Sequence, residues 1–340
     1  MISRKLFFVI FAMLILSLAL VACGSGEADC ADEETICVGL VTDVGEVDDK
    51  GFNQAAWEAV QLAEEEFDAI VDYVETKDAK DYGANIDLFA EQDYDVIVTS
   101  GFGMSDATRE AGQKYPDITF IGSDQWQADV IDNVAGILYP EDVAGFLAGS
   151  LAAMLTETGT VAGVYGTDLV PPVVAFKVGY ENGAAYINPD VNVISTFHPG
   201  GMDVAFTDPE WGASTAKQAI DQGADVVFGA GGKTGNGAII EAASVEGLYC
   251  IGVDLDQWLT VPETHPCLVT SAIKLLTPTI FGLIGQALDG NMEPGNNFGP
   301  AGLAPYHDFE DVIPADVKAK IAEIDAALKD GSLSTGYSPG

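Results

Sequence analysis

The sequence predicts an α/β protein built from two doubly wound parallel sheets. Short apolar, β-rich segments alternate with longer amphipathic segments over most of the chain, as expected for repeated β–α–β units. The alternation forms two series, the second beginning near residue 160. The roughly 300 residues beyond the N-terminal segment also exceed one ordinary hydrophobic core. We therefore expect two lobes.

The first series begins near residue 36 with a strand, an acidic turn and a helix. Its strands are predicted at residues 36–41, 69–75, 96–100, 119–122 and 134–137, and its helices include residues 52–67 and 141–155. The alternation of these short strands with helices is the pattern of β–α–β units and a parallel sheet.

The second series repeats this order. Its strands are predicted at residues 160–165, 191–197, 226–229, 249–253 and 267–271, with helices that include residues 176–187 and 212–222. A helix at 278–288 and a loop-rich segment at 290–308 bear on how the lobes are joined, and a final helix is predicted at 314–329. The dipeptide at 171–172, Pro-Pro, predicts a rigid loop. Ligands of such folds bind at the carboxyl ends of the strands, so a cleft between the lobes is the expected site.

The N-terminal segment predicts export. Arg4 and Lys5 precede an apolar run at residues 6–20, which ends in Leu-Val-Ala-Cys at Cys23. This is the anatomy of a signal peptide, and its end resembles a lipobox, in which the cysteine receives diacylglycerol. We expect a signal peptide at 1–22, a lipid on Cys23 and a flexible tether at 23–35, on the extracytoplasmic face of the cell membrane. An ordinary signal peptide, or an anchor helix with an incidental cysteine, is the alternative.

The charge balance excludes one class of partner. The chain has 53 acidic and 14 basic residues and a formal net charge of −39. Nucleic-acid binding depends largely on cationic side chains that neutralise phosphates, so we expect no nucleic-acid partner. An acidic surface of this kind keeps a protein soluble and suits a saline habitat.

Four cysteines remain once Cys23 is lipidated, and they allow three pairings. We favour Cys30 with Cys37 and Cys250 with Cys267, because each pair is close in sequence and the exterior is oxidising. The cysteine spacings do not indicate zinc, and the chain has only 3 histidines. We therefore expect neither a metal nor a cofactor.

The richest set of polar residues lies at 41–54, where a predicted strand ends and a helix begins. Asp48 or Asp49 can cap this helix, and Asp43 can accept hydrogen bonds from hydroxyl groups. Phe52 lies on the first helical turn, where it either packs in the core or stacks on a flat ligand. Asn53 offers both donors and an acceptor, which suits the edge of a heterocyclic base.

This stretch resembles the Bmp (basic membrane protein) lipoprotein family, the purine-nucleoside-receptor type of ABC-transporter binding protein. Four later segments are similar to the family in the same order: 120–125, which ends in an aspartate and a glutamine, the glycine-rich turn at 231–237, the segment 251–257 and the segment 270–274. The resemblance covers essentially the whole mature chain. It implies a type I periplasmic-binding-protein-like fold.

The resemblance also implies roles for individual residues. A nucleobase would lie between Phe52 and Phe206, and Asn53 and Asp124 would bind its edge. The residues that would hold the ribose hydroxyls are Asp43, Gly232, Asp254 and Lys274, with Asp256 as a competitor for the role of Asp254. Trp126 and Trp258 follow two of the similar segments, where they either pack in the hinge or core or extend the stacking surface.

The implied protein captures a nucleoside, a purine nucleoside in particular, and delivers it to an ABC permease and its ATPase. It is not an enzyme and needs no cofactor. The expected lobes are residues 36–142 with 273–297, and residues 143–272 with 298–340.

Two other functions stay open on the sequence. Asp43, Glu46, Asp48 and Asp49 form an acidic cluster that a nucleoside hydrolase could use to hold Ca²⁺, although Gly45 occupies the place of one aspartate of that motif. A surface sensor or adhesin could use the same cleft, because a fold does not decide a function.

Overall fold

The computed structural model describes residues 30–32 and 34–338. The predicted signal peptide, Cys23 and most of the tether lie outside the described residues. Within the described part of the chain, no helix combines the length and the apolar character needed to cross a membrane. Disulfides join Cys30 to Cys37 and Cys250 to Cys267, which is the pairing favoured from the sequence.

The first sheet has six strands, all paired in parallel, in the order β11-β5-β4-β3-β1-β2. Its elements are β1 (Cys37–Val44), α1 (Phe52–Phe67), β2 (Ile70–Thr76), α2 (Tyr82–Ala90), β3 (Val96–Ser100), α3 (Ser105–Lys114), β4 (Thr119–Ser123), β5 (Val134–Leu138), α9 (Leu276–Leu288) and β11 (Gly295–Phe298). Helices α1 and α9 cover one face of the sheet, while α2 and α3 cover the other.

The second sheet has the order β12-β10-β9-β8-β6-β7, with only the edge strand β12 antiparallel. Its elements are α4 (Glu141–Leu155), β6 (Thr160–Tyr165), α5 (Pro171–Ile187), β7 (Asn192–Phe197), α6 (Pro209–Asp221), β8 (Val226–Ala230), α7 (Gly232–Ala243), β9 (Tyr249–Asp254), α8 (Gln257–Thr260), β10 (Leu268–Lys274), β12 (Ala301–Leu303) and α10 (Ala315–Lys329). Helices α4, α5 and α10 pack on one face, and α6 and α7 on the other.

The chain crosses between the two sheets three times. It leaves the first sheet at residues 139–140, returns to it at residue 275 and leaves again at residues 299–300. The predicted α/β class with two doubly wound lobes is confirmed. We refer to the part around the first sheet as the first lobe and to the part around the second sheet as the second lobe.

Three local predictions were wrong. The Pro-Pro dipeptide is not a loop but the first turn of α5, where a proline loses no hydrogen bond because the first helical N–H groups have no partner. The segment 231–237 is not a turn, since α7 begins at Gly232. The segment 290–308 contains the strands β11 and β12, which lack an apolar alternation and are ordered by pairing with β5 and β10.

Glycines allow α7 to pack closely against its neighbours. A Cβ at Gly235 would lie 2.9 Å from the carbonyl carbon of Gly229, and a Cβ at Gly237 would lie 2.1 Å from the carbonyl oxygen of Pro209. Gly235 therefore lets α7 pack closely on β8, and Gly237 lets α7 pack closely on α6. The glycine-rich composition of this helix start therefore serves packing as well as the site.

A similar local structure ends one central strand of each sheet. Asp124 follows β4 and Asp254 ends β9, and both have left-handed backbones, with φ of 59° and 65°. In each lobe a glutamine folds back against a glycine of the strand: Gln125 against Gly122, and Gln257 against Gly252. The two lobes thus present an aspartate at corresponding strand ends.

Candidate functional site

A cavity lies between the two lobes, at the carboxyl ends of their strands. It encloses about 870 Å³ of empty space, part of it open to solvent. All eight residues assigned to the ligand from the sequence line it: Asp43, Phe52, Asn53, Asp124, Phe206, Gly232, Asp254 and Lys274. The fold brings them together because the carboxyl ends of parallel strands converge on one edge of each sheet.

Lys274 occupies the centre of the charged part of the site. Its Nζ lies 2.7 Å from Oδ2 of Asp124, 3.4 Å from Oδ1 of Asp254 and 3.6 Å from Oε1 of Glu141. The lysine side chain is 2% exposed. One buried cation therefore faces three carboxyl groups that come from both lobes.

The pKa values reflect this crowding. Burial raises the pKa of Glu141 to about 8 and also raises the pKa of Asp124, although the charge of Lys274 opposes both shifts. Burial alone would lower the pKa of Lys274, but the three carboxylates raise it above its ordinary value. Lys274 is thus held in its charged form.

Asp43 forms the second charged part of the cavity, at the end of β1. Its Oδ1 accepts a hydrogen bond of 3.2 Å from Asn53, and its Oδ2 lies against Gly101, where a Cβ would come within 2.3 Å. Gly101 has a left-handed φ of 114°, so this position favours glycine for two reasons. Burial raises the pKa of Asp43 to about 7, although the hydrogen bond from Asn53 lowers it.

The amide of Asn53 is bonded within the protein. Its Nδ2 donates to Asp43 and to the carbonyl oxygen of Glu46, and its Oδ1 accepts a hydrogen bond of 2.9 Å from Ser100. Asn53 therefore holds Asp43 in this structure, whereas the resemblance assigns it to the edge of a base.

The two aromatic rings come from opposite lobes. Phe52 is on the first turn of α1 and packs against the core of the first lobe, and its ring centroid lies 4.5 Å from Nζ of Lys274. Phe206 precedes α6 and lies against Gly166, where a Cβ would come within 2.4 Å of the ring. Both rings are half-buried, so each keeps exposed surface in the cavity.

The acidic residues at 46–49 have partners of their own. The Asp49 carboxylate accepts hydrogen bonds from the backbone N–H groups of Gly51, Asn53 and Gln54 and so caps α1. Glu46 and Asp48 pair with Lys233 of the second lobe. The described residues contain no group of three or more His, Cys, Asp or Glu side chains that could hold a metal ion.

The three residues that the sequence offered as alternative ligand contacts lie outside the cavity lining. Asp256 pairs with His307, at 2.7 Å from its Nε2. Trp258 is stacked between His265 and His307, at centroid distances of 3.7 and 5.0 Å. Trp126 is 57% exposed. Asp254, by contrast, reaches the cavity directly.

Sequence reasoning missed several residues of the site. Glu141 reads as an ordinary acidic residue at a helix start, and no feature of the sequence connects it to Lys274. Tyr82 and Met202 also line the cavity, but neither belongs to a recognisable pattern. Lys233 also lines the cavity, and its place beside Gly232 in the glycine-rich segment was a usable signal.

Comparisons with known proteins agree with this architecture. The chain matches the Bmp family, described as "ABC transporter substrate-binding protein PnrA-like", over residues 36–302. It is 30% identical to the CD4+ T-cell-stimulating antigen of Listeria monocytogenes serovar 1/2a, over 99% of this chain and 100% of that protein. It is 28% identical to an uncharacterized lipoprotein of Pyrococcus abyssi, over 84% of this chain and 72% of that protein.

The fold is also similar to a solved structure, an ABC transporter system solute-binding protein from Aeropyrum pernix K1. The TM-score is 0.78 at 24% identity, and the match covers 88% of this chain and 92% of that one.

Proposed function

Because the chain belongs to the Bmp family of ABC-transporter substrate-binding proteins, we propose that it captures a purine nucleoside between its two lobes and delivers it to a membrane permease. Members of this family are solute-binding proteins, not enzymes, and the same holds for this chain. The observation that carries the proposal is the convergence of two aromatic rings and several carboxylates from both lobes on one cavity.

The aromatic rings support a planar ligand. Phe52 and Phe206 belong to different lobes and both line the cavity, so each offers an aromatic face to a flat base. Aromatic faces stack on any nucleobase, and such contacts contribute about 1–3 kcal/mol per base. The rings therefore support a base but do not by themselves choose a purine.

The carboxylates support a ligand that donates hydrogen bonds. Oδ1 of Asp124 is buried and has no hydrogen-bond partner in the described part of the chain, and Asp43 keeps an oxygen that accepts no hydrogen bond from a described side chain. Buried acceptors require a donor, which ribose hydroxyls or a base N–H would supply. The excess of carboxylates also disfavours a phosphate group, so we expect nucleosides to bind more tightly than nucleotides.

Capture requires the lobes to move. We propose that the first lobe and the second lobe turn about the three crossing segments, at residues 139–140, 275 and 299–300. A ligand that contacts both lobes stabilises the closed form. Phe206 and Lys274 from the second lobe, together with Phe52 and Asp124 from the first, would provide such contacts.

Delivery requires a place near the permease and its ATPase. We propose that residues 1–22 direct export and that a lipid on Cys23 anchors the protein to the extracytoplasmic face of the membrane. The lipobox-like end of the apolar run supports this proposal, and so does the Pyrococcus abyssi relative, which is named as a lipoprotein.

Titration calorimetry tests the ligand directly. We expect heat and a single binding site with inosine, guanosine or adenosine, weaker binding with pyrimidine nucleosides, and little with ribose or with nucleoside 5′-monophosphates. The sample is purified protein that has been partially unfolded and refolded to remove any bound ligand. If none of the nucleosides produces heat or a shift in melting temperature, the proposed ligand is wrong.

The pKa of Asp43, about 7, predicts pH-dependent binding. Ribose hydroxyls donate to the ionised carboxylate, so nucleoside affinity should rise from about pH 6 to about pH 8. The stability of the ligand-free protein should change in the opposite direction and fall as the pH rises. The pKa of Asp43 in the fold exceeds its ordinary value of 3.8, so the stability associated with this group is lost as the pH rises through about 7.

Calorimetry at three pH values measures the affinity change, and Asp43→Asn is the control. The variant should bind more weakly and with a flatter pH profile. An unchanged slope in Asp43→Asn would assign the pH dependence to another buried carboxyl group, such as Asp49, whose pKa burial raises to about 6.

A further inference from the structure

The loop that precedes α1 in the first lobe is bound by side chains of the second lobe. Asn236 donates from Nδ2 to the carbonyl oxygen of Asp49 at 2.8 Å. The carbonyl oxygen of Lys50 accepts two hydrogen bonds, from Thr260 Oγ1 at 3.0 Å and from Gln257 Nε2 at 3.1 Å. Three side chains of one lobe thus hold two consecutive carbonyl groups of the other.

The second lobe holds these donors in place before they meet the loop. Gln257 is 1% exposed, its Oε1 accepts a hydrogen bond from the backbone N–H of Val253, and its Nε2 also donates to Oδ1 of Asn236 at 2.7 Å. Asn236 is 7% exposed. Asn236 and Gln257 are therefore fixed by bonds within their own lobe, which lowers the entropy lost when they bind the loop.

The first lobe also holds the loop in the conformation to which the second lobe binds. Lys50 has a left-handed φ of 63°, and the side chain of Asp49 is fixed because it caps α1. The carbonyl groups of both residues are thereby free to face the second lobe. This loop also connects Asp43 to Phe52 and Asn53, so its position determines the position of the site.

These three side chains lie outside the cavity lining. We infer that Asn236, Gln257 and Thr260 form an interlobe clasp that keeps the lobes closed without a ligand and controls how fast the cleft opens. Only the link between the clasp and ligand release rests on the proposed function. The clasp, the ion pairs of Lys233 and Lys274 with carboxylates of the first lobe, and a bridging ligand all stabilise the same closed form, and opening requires that all these contacts break.

Thr260→Val tests the clasp, because valine keeps the shape of the side chain and removes the hydroxyl. Thr277→Val is a matched control: Thr277 Oγ1 also donates to a backbone carbonyl at 3.0 Å, that of Ala55, but both residues belong to the first lobe. Both threonines are half-buried. Loss of one such hydrogen bond shifts an equilibrium by about two- to tenfold.

Small-angle X-ray scattering of ligand-free protein measures closure without any ligand. We expect a compact wild type, a larger radius of gyration for Thr260→Val, a further increase when Asn236→Leu is added, and no change for Thr277→Val. An open wild type, or an unchanged radius in the double variant with native circular dichroism, would overturn the clasp.

Stopped-flow release of a bound nucleoside gives the second measurement. Thr260→Val should release it about two- to tenfold faster, and Thr277→Val should match the wild type. Equal release rates for Thr260→Val and the wild type would contradict control of opening by the clasp. If no nucleoside binds, the proposed ligand fails, while the scattering result still decides whether the clasp exists.

Discussion

Replacing Lys274 with methionine should lower the free energy of unfolding by about 3–5 kcal/mol near pH 8, the usual result of removing one partner from a buried ion pair. Asp124, Asp254 and Glu141 would then share a buried site without a cation. Their attraction to Lys274 is what offsets the cost of their burial. The loss should therefore be among the largest for any single substitution at the site.

The pH dependence of this loss has a definite sign. Without Lys274, the pKa values of Asp124 and Glu141 in the fold should rise further above their ordinary values, because the cation that opposes both shifts is lost. Stability associated with such groups is present at low pH and is lost as the pH rises through the raised pKa values. The difference between Lys274→Met and the wild type should therefore shrink when urea unfolding is measured near pH 5.

Lys217→Met is the control for a lost lysine charge. Lys217 pairs with Asp221 at 3.1 Å, and both side chains are more than half exposed. An exposed pair of this kind contributes about 0–1 kcal/mol. Equal losses in the two variants would show that Lys274 does not hold the carboxyl groups together.

Replacing Phe206 with alanine should weaken nucleoside binding by about five- to 150-fold, which corresponds to the loss of one stacked base. The ring presents its surface to the cavity and packs against Gly166 rather than in the centre of a core. The substitution should therefore reduce the affinity for the ligand more than it reduces the stability of the fold. Calorimetry with the tightest purine nucleoside measures the affinity.

Phe67→Ala provides the matched control. Phe67 stacks on Phe281 at a centroid distance of 5.6 Å, within the first lobe and outside the cavity lining. We expect a lower melting temperature and an unchanged affinity. If Phe206→Ala also left the affinity unchanged, the base would not lie between Phe52 and Phe206.

Much of the site could be predicted because its residues occupy special places along the chain. Asp43, Asp124, Asp254 and Lys274 lie at strand ends, and strand ends of a parallel sheet meet at one edge whatever the details of packing. Phe52 and Asn53 begin the helix that follows the first strand. Short-range patterns were sufficient for Asp43, Phe52 and Asn53, whereas the roles of the other residues came from the resemblance to the Bmp family.

Other parts of the site depend on contacts between distant segments. Glu141 reaches Lys274 only because the chain crosses to the second lobe just before α4, and a single acidic residue at a helix start gives no indication of that contact. The strand β11 is ordered by pairing with β5, not by an apolar pattern of its own. The clasp likewise joins residues that are about 200 positions apart.

The sequence by itself determined the α/β class, the two series of strands, the pairing favoured for the cysteines and the polar residues at the end of the first strand, because periodicity and local spacing are properties of short segments. Only the tertiary structure decided the partners of Lys274, the bonding of Asn53 within the protein, the helical state of 232–243 and the hold of Asn236, Gln257 and Thr260 on the first lobe. Those features arise from close packing and hydrogen bonding between segments that meet only when both lobes have folded.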